Sequence, residues 1–272
     1  MNLPEPVEQV REAFDSVAGV FDETYENDIT RRLRASLYKT ITALVRPGGS
    51  ILDISCGTGI DAIELAQRGF RVTASDVAPK MVERAQAKTS TLGLRTIMFH
   101  VGSMERLDEI PNALFDLAFT NFGALNCLGN LREVARSVAG VIRPGGHFLA
   151  VVMPRICLWE LSAGLVRANA SFAFRRFRSD VMATGFQRGT FKVHYHPLSS
   201  FRSAFNEWFT DAGARGWCVV APPPHAMGFS SKFPRLTRRL TALDEVLSGL
   251  PLIRGAGDHY LCVLRRRAGN PD

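Results

Sequence analysis

Residues 51–59 read Ile-Leu-Asp-Ile-Ser-Cys-Gly-Thr-Gly, and the next seven, Ile60-Asp61-Ala62-Ile63-Glu64-Leu65-Ala66, carry a helical pattern. An apolar strand (Ile51, Leu52, Ile54) runs into a loop with glycines at 57 and 59. Glycine is needed where backbone approaches a ligand or takes positive φ, because a Cβ would collide. The helix that follows turns its free amides and positive dipole end back on that loop. Strand, glycine loop and helix in this order predict the ligand cradle of an open α/β sheet.

Two cofactor types suit such a cradle. Gly57-x-Gly59-x-x-Ala62 matches the dinucleotide pattern, with Asp76 about twenty residues further on, where a ribose acid stands. Asp53 argues the other way, because a nicotinamide dinucleotide would set its pyrophosphate beside that carboxylate at a Coulomb cost. S-adenosylmethionine presents an α-ammonium instead, a suitable partner for an acid. Asp53 therefore decides for the sulfonium cofactor.

Further motifs follow in order. Val72-Thr73-Ala74-Ser75-Asp76 reads as a second strand ending in an acid, and Thr96–Val101 as a third leading to Gly102-Ser103-Met104-Glu105. Phe115–Asn121 reads as a fourth strand followed by Phe122-Gly123-Ala124, and Val141–Val152 as a turn plus a fifth strand. With these motifs the chain resembles the class I S-adenosylmethionine-dependent methyltransferases, in their small-molecule, type 11-like branch, over about residues 10–153. The resemblance implies a Rossmann-like, doubly wound α/β fold: a seven-stranded sheet with an antiparallel C-terminal hairpin, an N-terminal helical lid and an inserted substrate cap.

It also implies the cofactor contacts. Asp53, Ser55, Cys56, Gly57, Thr58 and Gly59 form the loop, with serine at 55 where the family carries its first glycine. Asp76 clasps the ribose hydroxyls, since a carboxylate accepts two protons at once. Val77 and Met81 are expected against the adenine, with Gly102, Ser103 and Met104 at its edge. Relatives usually have aspartate where Ser103 stands, so acceptance from the adenine amino group is weaker here. Asn121 and Phe122 are expected to floor the methyl-donor site, and Tyr25 to lie near the methionine end. S-adenosylhomocysteine would be the product.

The resemblance divides the chain into lid helices at 1–48, a cofactor core at 49–153, a cap insertion at 154–192 and a C-terminal hairpin with a helical insertion at 193–272. The second lid helix is read at Asp28–Val45, and Phe14, Phe21 and Tyr25 are spaced as one helical face. In the insertion, Leu158, Trp159, Leu161, Leu165 and Val166 suggest an apolar helix face. Phe172-Ala173-Phe174-Arg175-Arg176-Phe177-Arg178 suits an acceptor with an apolar body and an anionic group. It equally suits phenylalanines packed on the sheet with arginines in water.

Phe191–Pro197 predicts a short strand, with Ser199-Ser200 capping a helix over Phe201–Ala212. The hairpin is predicted from Trp217–Pro222 and His259–Arg265, around a helical excursion through 232–250. His194 and His196 on one strand face, with Tyr195 opposite, are the candidate catalytic groups, histidine being the usual proton acceptor near neutral pH.

Composition narrows the classes. Apolar content of 46% and charged content of 22% in 272 residues are those of a globular chain with a sizeable core. No stretch approaches the roughly 18 apolar residues of a membrane span, and the N-terminus lacks a secretory leader's pattern. The cysteines at 56, 127, 157, 218 and 262 form no C-x-x-C pair, so no metal is expected and a cytoplasmic setting is.

Charge is unevenly spread. Residues 1–154 hold 16 Lys and Arg against 18 Asp and Glu, while residues 155–272 hold 17 against 8. The second half is therefore strongly basic, yet it has no long basic run, so a small-molecule acceptor is favoured over nucleic acid. An RNA or protein methyltransferase stays open as an alternative, although Asn121-Phe122-Gly123-Ala124 replaces the Asn-Pro-Pro-Tyr type of motif used on base amines. An NAD-dependent dehydrogenase is the alternative of a different class.

Overall fold

The computed structural model describes residues 3–111, 114–178 and 181–269. Three helices come first: α1 (Glu5–Val17), α2 (Phe21–Tyr25) and α3 (Asp28–Leu44). Alternation follows with β1 (Ser50–Asp53), α4 (Ile60–Gln67), β2 (Arg71–Asp76), α5 (Pro79–Thr91) and β3 (Ile97–Val101). Next come β4 (Phe115–Thr120), α6 (Arg132–Val141) and β5 (Ile142–Val152). The inserted segment carries α7 (Leu158–Val166) and α8 (Ala170–Ala173). The chain then forms α9 (Leu198–Phe205), β6 (Phe209–Trp217), α10 (Met227–Lys232), α11 (Pro234–Leu247) and β7 (His259–Arg266).

The strands make one seven-stranded sheet in the order β3-β2-β1-β4-β5-β7-β6. The first five are parallel and β7 is antiparallel to both neighbours, β5 and β6. This is the expected doubly wound sheet with a C-terminal hairpin. Central strands are covered on both faces, which is why they read as near-continuous apolar runs. Leu52, Ala118, Phe148 and Ala150 pack against α6 and α9 on one face. Ile51, Leu117, Phe119, Leu149 and Val151 pack against α3 and α4 on the other. No helix among the described residues is long and apolar enough to cross a membrane.

Several expected elements shift. The outer hairpin strand is Phe209–Trp217, not Trp217–Pro222, and α9 ends at Phe205 rather than Ala212. The strand sits at the sheet edge with its middle residues largely exposed, so its sequence, Thr210-Asp211-Ala212-Gly213-Ala214-Arg215, lacks strand-like apolar alternation. Pro197, not the serine pair, occupies the α9 N-cap; Ser199 and Ser200 lie inside the first turn. Residues 191–197 join no sheet, and the segment makes only an isolated antiparallel bridge between Met182 and Lys192. The helical excursion begins earlier, at Met227, and breaks at Phe233 before Pro234. In α7 the buried residues are Glu160 and Gly164, while Leu165 and Val166 face outward. Glu160 turns inward because it pairs with Arg175 and Arg176, and Gly164 because Ala173 packs where its Cβ would stand.

One buried polar network fixes the N-terminal helices to the sheet. The Asp61 carboxylate, in the first turn of α4, pairs with the Arg34 guanidinium of α3. It also accepts from the Tyr38 hydroxyl at 2.6 Å and from Asn121 Nδ2 at 3.0 Å. Arg34 makes a second ion pair with Glu26 at 3.0 Å. Removing one partner of a buried ion pair leaves a naked charge, at a cost of about 3–5 kcal/mol. Arg34→Met is therefore expected to destabilise the protein by that amount, read as a lower urea midpoint at unchanged m-value. Arg34→Met/Asp61→Asn should recover part of the loss, because the uncompensated charge is gone.

Candidate active site

The glycine loop lies at the carboxyl ends of β1, β2 and β4, the edge where open α/β sheets hold ligands. Gly57 and Gly59 have φ of 51° and 81°, in the left-handed region that Cβ-bearing residues avoid. Gly59 also lies against α5, where an added Cβ would come within 2.7 Å of Ala85 Cβ. Ser55, the departure from the glycine pattern, is held by a 2.8 Å hydrogen bond between its hydroxyl and that of Thr120. Cys56 is buried, and burial pushes its thiol well above the ordinary range, so it is no nucleophile.

Two carboxylates face this loop differently. Asp76 accepts from the amides of Gly57 at 2.8 Å and Ala78 at 2.9 Å. Burial nonetheless raises its carboxyl above the usual value. Asp53 is 1% exposed; its Oδ1 accepts weakly from the Ser55 amide at 3.3 Å, and its Oδ2 has no partner. Burial first, then the nearby charge of Asp61, raises Asp53 well above the carboxylate range. An orphaned buried carboxylate oxygen fits a cationic ligand group.

Residues expected around an adenosyl group fall into three settings. Gly102 donates its amide to the Asp76 carbonyl, which brings the third-strand loop beside the cradle. The Ser103 hydroxyl donates to Glu105 Oε2 at 3.1 Å, so an acid stands behind the serine. Met104 is half-buried against the core. Val77 packs in a cluster with Val10, Cys127, Phe186 and Phe191. Met81 is fully buried under Val17, Ala18 and Ala78, inside packing rather than on a cleft.

Helix α2 closes over the loop. Phe21 reaches Gly57, Asp22 bonds the Thr58 hydroxyl, and Lys88 pairs with Asp22 at 2.7 Å. Tyr25 packs on Phe21 with the rings tilted by 40° and their centroids 4.7 Å apart. The inserted segment reaches α1 through Phe186 and Phe191, both packed on Phe14, whose ring also meets Phe21 of α2.

At the end of β4, Asn121 Oδ1 accepts from the Phe122 amide at 2.8 Å while its Nδ2 donates to Asp61. Phe122 is held at φ 45°, an uncommon conformation for a residue with a Cβ and one that clusters at functional sites. The Arg34 guanidinium lies 4.8 Å from its ring centroid.

His259, the first residue of β7, meets the Phe122 ring edge-on, and a Cβ on Gly123 would stand 3.4 Å from His259 Nε2. His259 Nδ1 is 3.0 Å from Asp258 Oδ2. Burial alone would raise the Asp258 carboxyl, but His259 and Arg176 outweigh it and hold it far below the carboxylate range. Arg176 Nη2 donates to Asp258 Oδ1 at 2.7 Å and to Glu160 Oε1 at 2.6 Å. Cys157, Glu160 and Asp258 come within metal-ligating reach of one another, yet both carboxylates are already neutralised by Arg175 and Arg176.

The sequence-predicted trio sits elsewhere. His194 and His196 stack 6.4 Å apart on one side of an extended segment, and Tyr195 lies on the other, under Arg176. His196 Nε2 is engaged with the Leu128 carbonyl at 2.8 Å. Burial lowers both histidines and raises the Tyr195 phenol, leaving all three uncharged near neutrality. Sequence reading missed Arg34, Asp61, Glu105, Asp258 and His259. Only Glu105 had a local signal, standing two residues after the serine that replaces the expected acid.

Residues 51–146 match the family model described as a methyltransferase domain. The chain is 36% identical over 133 residues to the S-adenosyl-L-methionine-dependent Diels-Alderase iccD of Talaromyces variabilis, covering 47% of this chain and 44% of that one. It is 27% identical to the ubiquinone biosynthesis O-methyltransferase of Xanthomonas axonopodis pv. citri, covering 64% and 66%. The match spans about half or less of the length of several curated relatives. Among solved structures, the CcbJ methyltransferase of Streptomyces caelestis aligns at TM-score 0.63 and 15% identity over 94% of this chain and 98% of that one. The [4+2]-cyclase SpnF aligns at TM-score 0.60 and 16% identity over 97% of each. Family model and relatives identify residues 51–146 as a methyltransferase domain, and the chain is similar to S-adenosylmethionine-dependent methyltransferases in sequence and to methyltransferases in fold.

Proposed function

We propose that this chain transfers a methyl group from S-adenosylmethionine to oxygen or nitrogen of a small, partly apolar acceptor that carries an anionic group. The observation that carries the reading is Asp53, a buried acid at the glycine loop with one oxygen left unpaired. The residues fit the cofactor: Asp53 for the α-ammonium, Asp76 for the ribose hydroxyls, and Ser103 backed by Glu105 for the adenine amino group. When bound, the sulfonium supplies an electrophilic methyl and departs as a neutral thioether.

The chain's own residues then position the acceptor and take its proton. Phe122, held by Asn121 and covered by Arg34, forms the floor on which the acceptor lies. His259 takes the proton at Nε2, while Asp258 holds Nδ1 and favours the tautomer with Nε2 free. We place the base at His259 rather than His194 or His196, because it alone of the three lies against Phe122 and Gly123. Positioning and exclusion of water account for the remainder of the acceleration. The lid role of α1–α3, the cap role of the insertion and a cytoplasmic setting are part of the same proposal.

A second reading is a cycloaddition assisted by the bound cofactor without methyl transfer, favoured by the identity to the Diels-Alderase. It needs no proton acceptor. Transfer of labelled methyl from S-adenosylmethionine to a panel of phenols, carboxylates and amines separates the two. His259→Gln should lower kcat by roughly 10²–10⁴-fold while leaving S-adenosylhomocysteine affinity unchanged. Undiminished transfer in that variant would remove His259 from the mechanism.

Asp53 gives a prediction in the opposite sense for stability. With its folded-state pKa raised, the folded chain binds more protons than the unfolded one above the ordinary carboxylate range. Stability of the cofactor-free protein is therefore lost as pH rises through that window. Asp53→Asn should raise the cofactor-free melting temperature at neutral pH. In calorimetric melts, wild type should gain about 2.7 kcal/mol at a hundredfold excess of S-adenosylmethionine over its Kd, and the variant should gain much less at the same concentration.

A further inference from the structure

We infer that the cavity between the inserted segment and α9 is an oxyanion site, built for a phosphoryl group, and that it receives the anionic end of the acceptor. The anion site stands by itself; its assignment to the acceptor rests on the proposed methyl transfer.

The cavity holds about 300 Å³ and is walled by Arg155, Lys192, His194, Tyr195, His196 and Ser200, with Arg176 behind Tyr195. None of its lining residues is acidic. The nearby carboxylates, Glu160 and Asp258, are taken up by Arg175, Arg176 and His259. Arg155 and Lys192 are exposed, and no ion pair is made by either among the described residues. Their charge has no internal structural use.

The second observation is the end of α9, an eight-residue helix that begins at this wall. Its N-cap is Pro197, without a side-chain cap, and the amides of Ser199 and Ser200 have no acceptor among the described residues. A helix start with open amides and a positive dipole end attracts anions. Here it coincides with two uncommitted cations, a serine hydroxyl and the His194 imidazole, donors a tetrahedral dianion uses, while His196 lines the wall with its N–H spent on the Leu128 carbonyl. Gly129 also lines the cavity; a Cβ there would come within 3.0 Å of the His194 ring, so that glycine lets the imidazole sit against the loop after β4.

Position ties the cavity to the reacting edge. Gly129 follows β4, Arg155 follows β5, and both belong to the carboxyl edge that carries Phe122. Val193, Tyr195 and Pro197 add apolar surface to the lining, and Arg176, which lines it too, donates to Asp258, the acid that pairs with His259. This gives a structural use to the two histidines and the tyrosine that the sequence singled out: they line the anion's pocket and leave the proton to His259.

The test is calorimetric titration of the full chain, at low ionic strength, with inorganic phosphate, phenyl phosphate and phenol. Each is repeated in the presence of S-adenosylhomocysteine. Both phosphates should bind and phenol should not, with phenyl phosphate at least tenfold tighter than inorganic phosphate. Arg155→Ala/Lys192→Ala should weaken both by tenfold or more without changing S-adenosylhomocysteine affinity or the melting temperature. Absence of phosphate binding, or binding untouched by the double variant, overturns the site. Equal affinity for the two phosphates overturns its assignment to the acceptor. Failure of S-adenosylhomocysteine to bind, with phosphate binding intact, would overturn the donor reading alone.

Discussion

The Asp61 carboxylate is the contact on which the geometry of the site depends. It is buried, so its charge requires a cation and hydrogen-bond donors in fixed directions. Arg34 supplies the cation from α3, Tyr38 a hydroxyl from the same helix, and Asn121 an amide from the end of β4. Three elements distant in sequence are thereby held together just beneath the glycine loop. Through Asn121 the constraint extends to Phe122, whose left-handed backbone is retained by the hydrogen bond to Asn121 Oδ1. The same negative charge helps keep Asp53 prone to protonation until a cation arrives.

Arg176 plays a comparable part on the other side. It is 3% exposed and binds Glu160, the Asp258 carboxylate, and the carbonyls of Pro154 and Asp258. These contacts attach the inserted segment to the start of β7 and orient the acid that orients His259. A buried guanidinium suits this because its planar fork satisfies several acceptors at once and stays charged. His259, through Asp258, and the basic cavity that Arg176 helps to line are thus tied to a single arginine.

Much of the fold was legible because parallel α/β architecture writes itself locally. Apolar strands, glycine turns and amphipathic helices alternate, and their order implies the sheet. The edge strand β6 was not legible, since a strand with one side in water needs no apolar alternation. Nor was the orientation of α7, whose inward residues are a glutamate and a glycine. Apolarity predicts burial only when no buried ion pair competes for the inward face, and Glu160 wins that competition.

The sequence by itself determined the glycine loop, the acids at 53 and 76, and the polar ending of β4. All are set by short-range geometry: a loop that must approach a ligand demands glycine, and strand ends fall at known offsets from it. Tertiary structure alone decided which histidine faces the donor edge. His194, Tyr195 and His196 carry as much chemistry in sequence as His259. Only the antiparallel return of β7 beside β5 brings residue 259 against Phe122, with Asp258 anchored behind it. That pairing joins the far end of the chain to the middle of the sheet, and no local pattern encodes it.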